Sequence, residues 1–354
     1  MEYLYSPDTN MLQKQLKPFK DYTLQWHLLN QCNMNCSHCY IKDRQQKMSL
    51  AQFTKGLNNY VDFLNHFKIQ GRIYFTGGDP LLHKSLKKII SMTVSHNISF
   101  ALMGNYHCLT TSIVRFLKKN KIRFYQLSID GLKTNHEAVR GEETFDKVLA
   151  AIDLLESNGV TTVVNMTVTR QNIDDVIPLI KLLAETKLSR FDTTRVVPIG
   201  SALQQKDQLI IPARYKKLLQ AILQTEAILK EKGKKLQIGK KDHLWTLLYE
   251  ENDKLAIDLS NMYYGCGMVI RHLTILPDGD ILPCRKLELP IGNILKQPLS
   301  DIFLKNKLVG EICSNSLVRG CSKCKLNNVC RGCPSVTHAY FHNLDKRDPQ
   351  CWKK

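Results

Sequence analysis

The sequence predicts an α/β protein: six parallel strands alternating with helices over residues 21–210, then a small cysteine-rich domain. Two observations predict it. From residue 22 to about 200, short apolar runs alternate with segments of helical period, the pattern of strands joined by helical crossovers. From Tyr263 onward the pattern changes to short strands with turn signals and a rising density of cysteine.

The strands are expected at 23–29, 72–75, 99–103, 124–129, 161–168 and 191–197. The helices between them are expected at 50–67, 81–95, 110–120, 145–158 and 173–186, each ending near a polar residue or a glycine. Further helices are expected at 212–232 and 242–259, with the lysine-rich stretch 231–241 between them. A hairpin follows, with strands at 273–276 and 281–283 around Pro277-Asp278-Gly279-Asp280. The chain thus divides into an extension (1–20), a strand-helix core (21–210), a helical bridge (211–259) and a second domain (260–354). Six strand-helix units are too few to close an eight-fold barrel.

With 354 residues, 43% of them apolar, the chain can bury a large core. No apolar stretch approaches the roughly 20 residues of a membrane span, and the first 20 residues form no export signal. A cytoplasmic protein with no membrane partner is expected. Twelve cysteines, many in close-spaced groups, then read as reduced thiols binding metal rather than as a disulfide framework. The formal net charge of +18 favours anionic partners, although solvated helix faces account for it equally well. Nucleic acid is not an expected partner, because no RNP sequence or zinc finger is present.

Cys32, Cys36 and Cys39 stand after the first strand in the run Asn30-Gln-Cys-Asn-Met-Asn-Cys-Ser-His-Cys-Tyr40. Three thiolates can hold three irons of a four-iron cluster and leave the fourth open to a small molecule. This Cys-x3-Cys-x2-Cys spacing, closed by Tyr40, resembles the signature of the radical S-adenosylmethionine (radical SAM) enzymes. The resemblance implies an open, partial (β/α)6 TIM-like barrel with ligands at the carboxyl ends of its strands. It also implies a 4Fe-4S cluster whose free iron chelates SAM, and an external electron donor such as flavodoxin or ferredoxin.

Tyr74-Phe75-Thr76-Gly77-Gly78-Asp79-Pro80 resembles the family's Gly-Gly-Glu-Pro motif at the SAM amino group, with Asp79 one methylene shorter than Glu. Ser128 and Asp130 alternate on the fourth strand and so share a face. The resemblance puts them at the SAM methionyl or ribose groups, and Arg140, of Arg140-Gly141, at the SAM carboxylate, which suits a guanidinium fork. Asn165 and Val197 resemble positions near the ribose and adenine. Read alone, Asp130-Gly131 is an ordinary turn and Arg140 a solvated charge.

Cys266, Cys284, Cys321-x2-Cys324-x5-Cys330-x2-Cys333 and Cys351 resemble the SPASM domain of peptide- and protein-modifying radical SAM enzymes. The departure is two residues rather than three between Cys330 and Cys333. The resemblance implies two auxiliary 4Fe-4S clusters, one on Cys321, Cys324, Cys330 and Cys351, the other on Cys266, Cys284 and Cys333. No cysteine stands at 258–265 to complete the second, so an open iron is expected there unless Cys313 fills it. Zinc is the alternative for these Cys-x2-Cys pairs taken alone. Cys108 and Cys313 are otherwise expected as small buried hydrophobes, and His27, His38, His107 and His338 as packing or surface residues.

Arg285 follows Cys284 where the formylglycine-forming maturases carry an acidic base. A guanidinium cannot accept a proton, which disfavours that reaction. A ribosomal-peptide maturase forming a thioether or other crosslink is the expected function. The residues before the first strand are too few for a winged-helix leader grip, so a separate leader-binding protein, or the basic surface acting on an acidic leader, would recognise the substrate. Two alternatives stand: a radical SAM enzyme of cofactor or heme-precursor biosynthesis, and a nonenzymatic metal- or nucleic-acid-binding protein.

Overall fold

The computed structural model describes residues 20–41, 43–203, 209–251, 267–314, 317–327, 329–330 and 332–353. The expected extension (except Lys20), Cys266 and the end (252–259) of the expected helix at 242–259 lie outside the described residues. Strand β1 (Asp21–Leu29) starts the sheet. It is followed by β2 (Gln70–Gly77), β3 (Ser99–Met103), β4 (Tyr125–Ser128), β5 (Thr162–Val168) and β6 (Arg190–Arg195), each parallel to the one before.

Helices α1 (Leu50–Phe67), α2 (Leu86–Ser95), α3 (Thr111–Lys119), α4 (Lys133–Arg140), α5 (Thr144–Ser157) and α6 (Val176–Leu183) make the crossovers. Helix α1 begins at a capping box, Ser49 accepting from Gln52 N while the Gln52 side chain accepts from Ser49 N, which satisfies two donors that a helix start leaves open. It ends at Lys68 in the left-handed conformation. Its buried residues Phe53, Leu57, Tyr60 and Leu64 recur at three- and four-residue spacing. They meet the β1 face bearing Tyr22, Leu24 and Trp26, where each fully buried large side chain contributes about 1.5–3 kcal/mol. Gly56 leaves room for the Trp26 indole, since a Cβ there would lie 3.0 Å from it.

Three features extend the expected plan. Helix α4, Lys-Thr-Asn-His-Glu-Ala-Val-Arg, buries only His136 and so has no apolar stripe to announce it. After α7 (Pro212–Glu231), the three-residue strand β7 (Gln237–Gly239) joins β6 in parallel, followed by α8 (Trp245–Glu250). The hairpin β8 (His272–Ile275) and β9 (Asp280–Leu282), with β10 (Gly292–Asn293), continues the same sheet instead of standing apart: β8 lies parallel to β1. The sheet order is β10-β9-β8-β1-β2-β3-β4-β5-β6-β7, so its two ends are β10 and β7. Helices α9 (Leu299–Lys305), α10 (Lys307–Cys313) and α11 (Pro334–Phe341) complete the described chain.

Candidate active site

The cysteine loop leaves β1 at the carboxyl end of the sheet, and β2 ends directly against it. Gly78 N donates to Leu29 O and Asp79 N to Gln31 O, both at 2.8 Å. A Cβ on Gly77 would lie 1.9 Å from Leu29 O, and one on Gly78 1.9 Å from Gln31 O. Gly77 also has φ +135°, which disfavours any side chain. The two glycines are therefore required for the close approach of these chains.

The loop is pinned from several sides. Cys39 N donates to Cys36 O at 3.1 Å, Ser37 N to Val139 O of α4 at 3.0 Å, and Arg44 Nη1 to Met34 O at 2.9 Å. N–H groups face two of the sulfurs: Met34 N lies 3.4 Å from Cys32 Sγ and Arg140 Nη1 3.6 Å from Cys36 Sγ.

Asp130 is the hub behind this loop. It is fully buried, and its Oδ2 accepts from Arg140 Nε at 2.7 Å and pairs with His38 Nε2 at 2.9 Å, while Oδ1 accepts from Thr167 N at 2.7 Å. Burial alone would raise its pKa, but Arg140 and His38, with the Thr167 hydrogen bond, hold it well below the usual carboxylate range.

A cavity of about 360 Å³ opens over the loop, large enough for a small-molecule ligand. Its lining includes Cys32, Cys36, Cys39, Tyr40, Gly77, Gly78, Ser128, Arg140, Asn165 and Val197. Ser128 and Asn165 are register partners on β4 and β5, and Asn165 Nδ2 donates to Thr194 Oγ1 at 3.2 Å.

Two of the expected SAM contacts stand back from the cavity wall. Asp130 does not line the cavity; its carboxylate holds Arg140 and His38, which do. Asp79 does not line it either. Its Oδ1 accepts from Leu81 N at 3.0 Å, capping the short helix Pro80–Leu82, and its buried Oδ2 has no hydrogen-bond partner. Burial pushes the Asp79 carboxyl up to about 6.

His38 is a cavity residue rather than a packing histidine. Its position inside the Cys36–Cys39 turn was the available signal, but its partner lies 92 residues away. Lys241 and Lys286 also line the cavity, with no motif to mark them in the sequence.

Towards the carboxyl terminus, Cys321, Cys324, Cys330 and Cys351 gather: after the larger effect of burial, Cys351 and Cys324 raise the pKa of Cys321, Cys351 raises that of Cys330, and Cys324 raises that of Cys351. Burial pushes Cys321 up to about 11 and Cys330 to about 12. Cys284 and Cys333 adjoin Tyr40 instead: Cys284 acts on its ionisation, and Cys333 packs with it against Val197 and Val336.

Cys313 stands elsewhere. It acts on Tyr22, which lies on the α1-covered face of β1, whereas Tyr40 packs on His27, on the opposite face and about 16 Å further along the strand. Cys108 is half-exposed, not buried, with Asn33 Nδ2 3.9 Å from its sulfur.

Thiols become thiolates when a cation binds them, so these groups of neighbouring cysteines suit iron-sulfur clusters. Among the described residues no three Cys, His, Asp or Glu side chains converge to hold a single ion. A zinc ion needs its ligands within about 2.3 Å, whereas a multi-iron cluster takes one sulfur at each separated corner.

The radical SAM superfamily profile matches residues 26–183, and the SPASM iron-sulfur cluster-binding domain matches residues 266–334. The chain is a radical SAM enzyme with a SPASM domain. Its cofactors are accordingly 4Fe-4S clusters and SAM. An AdoMet-dependent heme synthase of Nitratidesulfovibrio vulgaris is 22% identical to it, over 92% of this chain and 90% of that protein. The mycofactocin maturase MftC of Mycolicibacterium smegmatis is 24% identical, over 93% and 82%. Among solved structures, Streptococcus suis SuiB bound to the precursor peptide SuiA superposes with a TM-score of 0.73 at 20% identity, covering 96% of this radical SAM enzyme and 77% of SuiB.

Proposed function

We propose that this enzyme is a maturase of a ribosomal peptide or a protein, forming a thioether or another crosslink. The observation that carries it is the meeting of the two halves of the chain at Tyr40. Tyr40 follows Cys39, the Arg285 guanidinium lies 4.5 Å from its ring, and Lys286, two residues past Cys284, lines the same cavity as Cys36. A substrate entering there would lie between the radical source and an auxiliary cluster.

When bound, the first cluster would supply the electron for reductive cleavage of SAM, with methionine leaving, and so the means of taking a hydrogen atom from the substrate. Cys32, Cys36 and Cys39 would hold that cluster. Gly77, Gly78, Ser128, Asn165 and Val197 would form the SAM cradle with Tyr40, and Arg140, fixed by Asp130, would meet the SAM carboxylate. Cys321, Cys324, Cys330 and Cys351 would hold the outer auxiliary cluster. Cys266, Cys284 and Cys333 would hold the inner one, with one iron open to a substrate thiolate, since Cys313 lies on the far face of β1.

Arg285 offers no base beside Cys284, which argues against formylglycine formation. An electron donor of the flavodoxin or ferredoxin type and a leader-binding partner would complete the system in the cytoplasm. The test is co-expression with candidate precursor peptides, followed by mass analysis. Loss of two hydrogens per crosslink is expected; an unmodified peptide with every candidate would count against the reading.

A second reading, an enzyme acting on a heme precursor, is favoured by the heme synthase relative, which this chain matches over nearly its whole length. Turnover of an iron tetrapyrrole in place of a peptide would select it.

A further inference from the structure

The cavity has a one-sided charge. Arg44, Arg140, Lys241 and Lys286 line it, and no Asp or Glu does among the described residues. Three of these cations are already engaged: Arg44 with Met34 O and Asn35 Oδ1, Arg140 with Asp130, and Lys241 with Asp192. Lys286 has no acidic partner among the described residues.

The topology gives Lys286 a distinct place. The proposed SAM cradle spans β2 to β6 at the middle of the sheet. Lys241 follows β7, at one end of the sheet, and Lys286 follows β9, in the hairpin at the other. The two lysines therefore reach the cavity from the two borders of the open barrel. The turn bearing Lys286 is held firmly: Lys286 N lies 3.4 Å from Cys284 Sγ, and the buried Arg285 stacks on Tyr40 with Nη1 3.6 Å from Glu288. SAM carries a single carboxylate, which in the reading above Arg140 would meet. The Lys286 ammonium remains for a second anion.

We propose that Lys286 is a specificity-determining residue that binds a carboxylate of the substrate at the open side of the barrel. This rests on the radical SAM reading above and deepens it: the substrate carries an acidic group. A peptide carboxylate and a tetrapyrrole propionate are the two sources of that chemistry. An unpaired ammonium in a partly buried site favours a carboxylate strongly over its neutral isostere.

The test uses the full-length, anaerobically reconstituted protein with SAM. Binding is measured for a glutamate-rich peptide against its glutamine counterpart, and for iron coproporphyrin III against its methyl ester. At least one acid should bind about tenfold or more tightly than its neutral form, and which one does identifies the source. Lys286→Glu and Lys286→Gln should abolish that preference, and Lys286→Arg should retain it. Lys119→Glu, the same charge change at the exposed end of α3, should leave it in place, which separates the site from the general basicity of the surface.

Equal binding of acid and neutral forms by the wild type overturns the proposal, as does a preference that survives Lys286→Glu. An altered cluster EPR spectrum with unchanged probe affinity would make Lys286 a counter-ion to the Cys284 cluster and overturns it too. SAM cleavage by the wild type in the same preparation tests the underlying reading separately.

Discussion

Arg195 on β6 and Asp348 in the carboxyl-terminal tail form a buried bidentate pair, each of its two N–H···O bonds 2.8 Å long. The same guanidinium donates to Asp242 at 2.6 Å and to Gln350 at 2.8 Å, and Asp348 Oδ2 also accepts from Cys333 N. One barrel side chain thus anchors the segment carrying Cys333 and Cys351.

Arg195→Met should destabilise the protein by about 3–5 kcal/mol, because it leaves the buried Asp348 carboxylate and the part-buried Asp242 carboxylate without their cation. Anaerobic urea unfolding checks the loss, and iron analysis should show fewer irons per chain. Unchanged stability and iron content would mean that the tail is held by its other contacts.

Asp79→Asn should stabilise the protein at neutral pH. A carboxyl whose folded pKa is raised, here from 3.8 to about 6, binds more protons folded than unfolded, so wild-type stability falls as pH rises through that window. The amide keeps the cap to Leu81 and removes the charge. Unfolding at several pH values should show the variant flat across the window, with SAM cleavage retained. Loss of SAM binding would mark Asp79 as a direct contact.

Asp130→Asn should act oppositely. The Asp130 pKa is depressed, so its ion pairs stabilise the fold above the unfolded value of 3.8 and are lost only as pH falls below it. At neutral pH the variant should be less stable. With Arg140 and His38 released, it should also raise the KM for SAM more than it lowers kcat for SAM cleavage. An unchanged KM would leave Asp130 a purely structural residue.

Cys313→Ser should leave the iron per chain and the EPR signals unchanged, at a modest stability cost for a buried thiol. A loss of about four irons would show that Cys313 is a ligand after all.

Most of the barrel was legible because strand and helix periods alternate strongly from β1 to β6. Strand β7 was not, since Gln237-Ile-Gly239 gives three residues within a lysine-rich stretch and takes its partner from β6. Nor was the docking of β8 on β1, which brings together Thr23 and His272 from far apart in the chain. Close spacing marked the cysteines and the Gly77-Gly78 pair, whereas Ser128 and Arg140 were reached only through the family resemblance, since read alone they are an ordinary strand-end residue and a solvated charge. The inward turns of Asp79 and Asp130, the engagement of His38, and the buried Arg195 depend on partners far along the chain and leave no local trace.

The most direct test is to incubate the anaerobically reconstituted enzyme with SAM and dithionite and to quantify 5'-deoxyadenosine. The wild type should form it only with reductant, and a variant with Cys32, Cys36 and Cys39 replaced by alanine should form none. Intact SAM with the wild type, or 5'-deoxyadenosine from the triple variant, would contradict the assignment of the radical source to this loop.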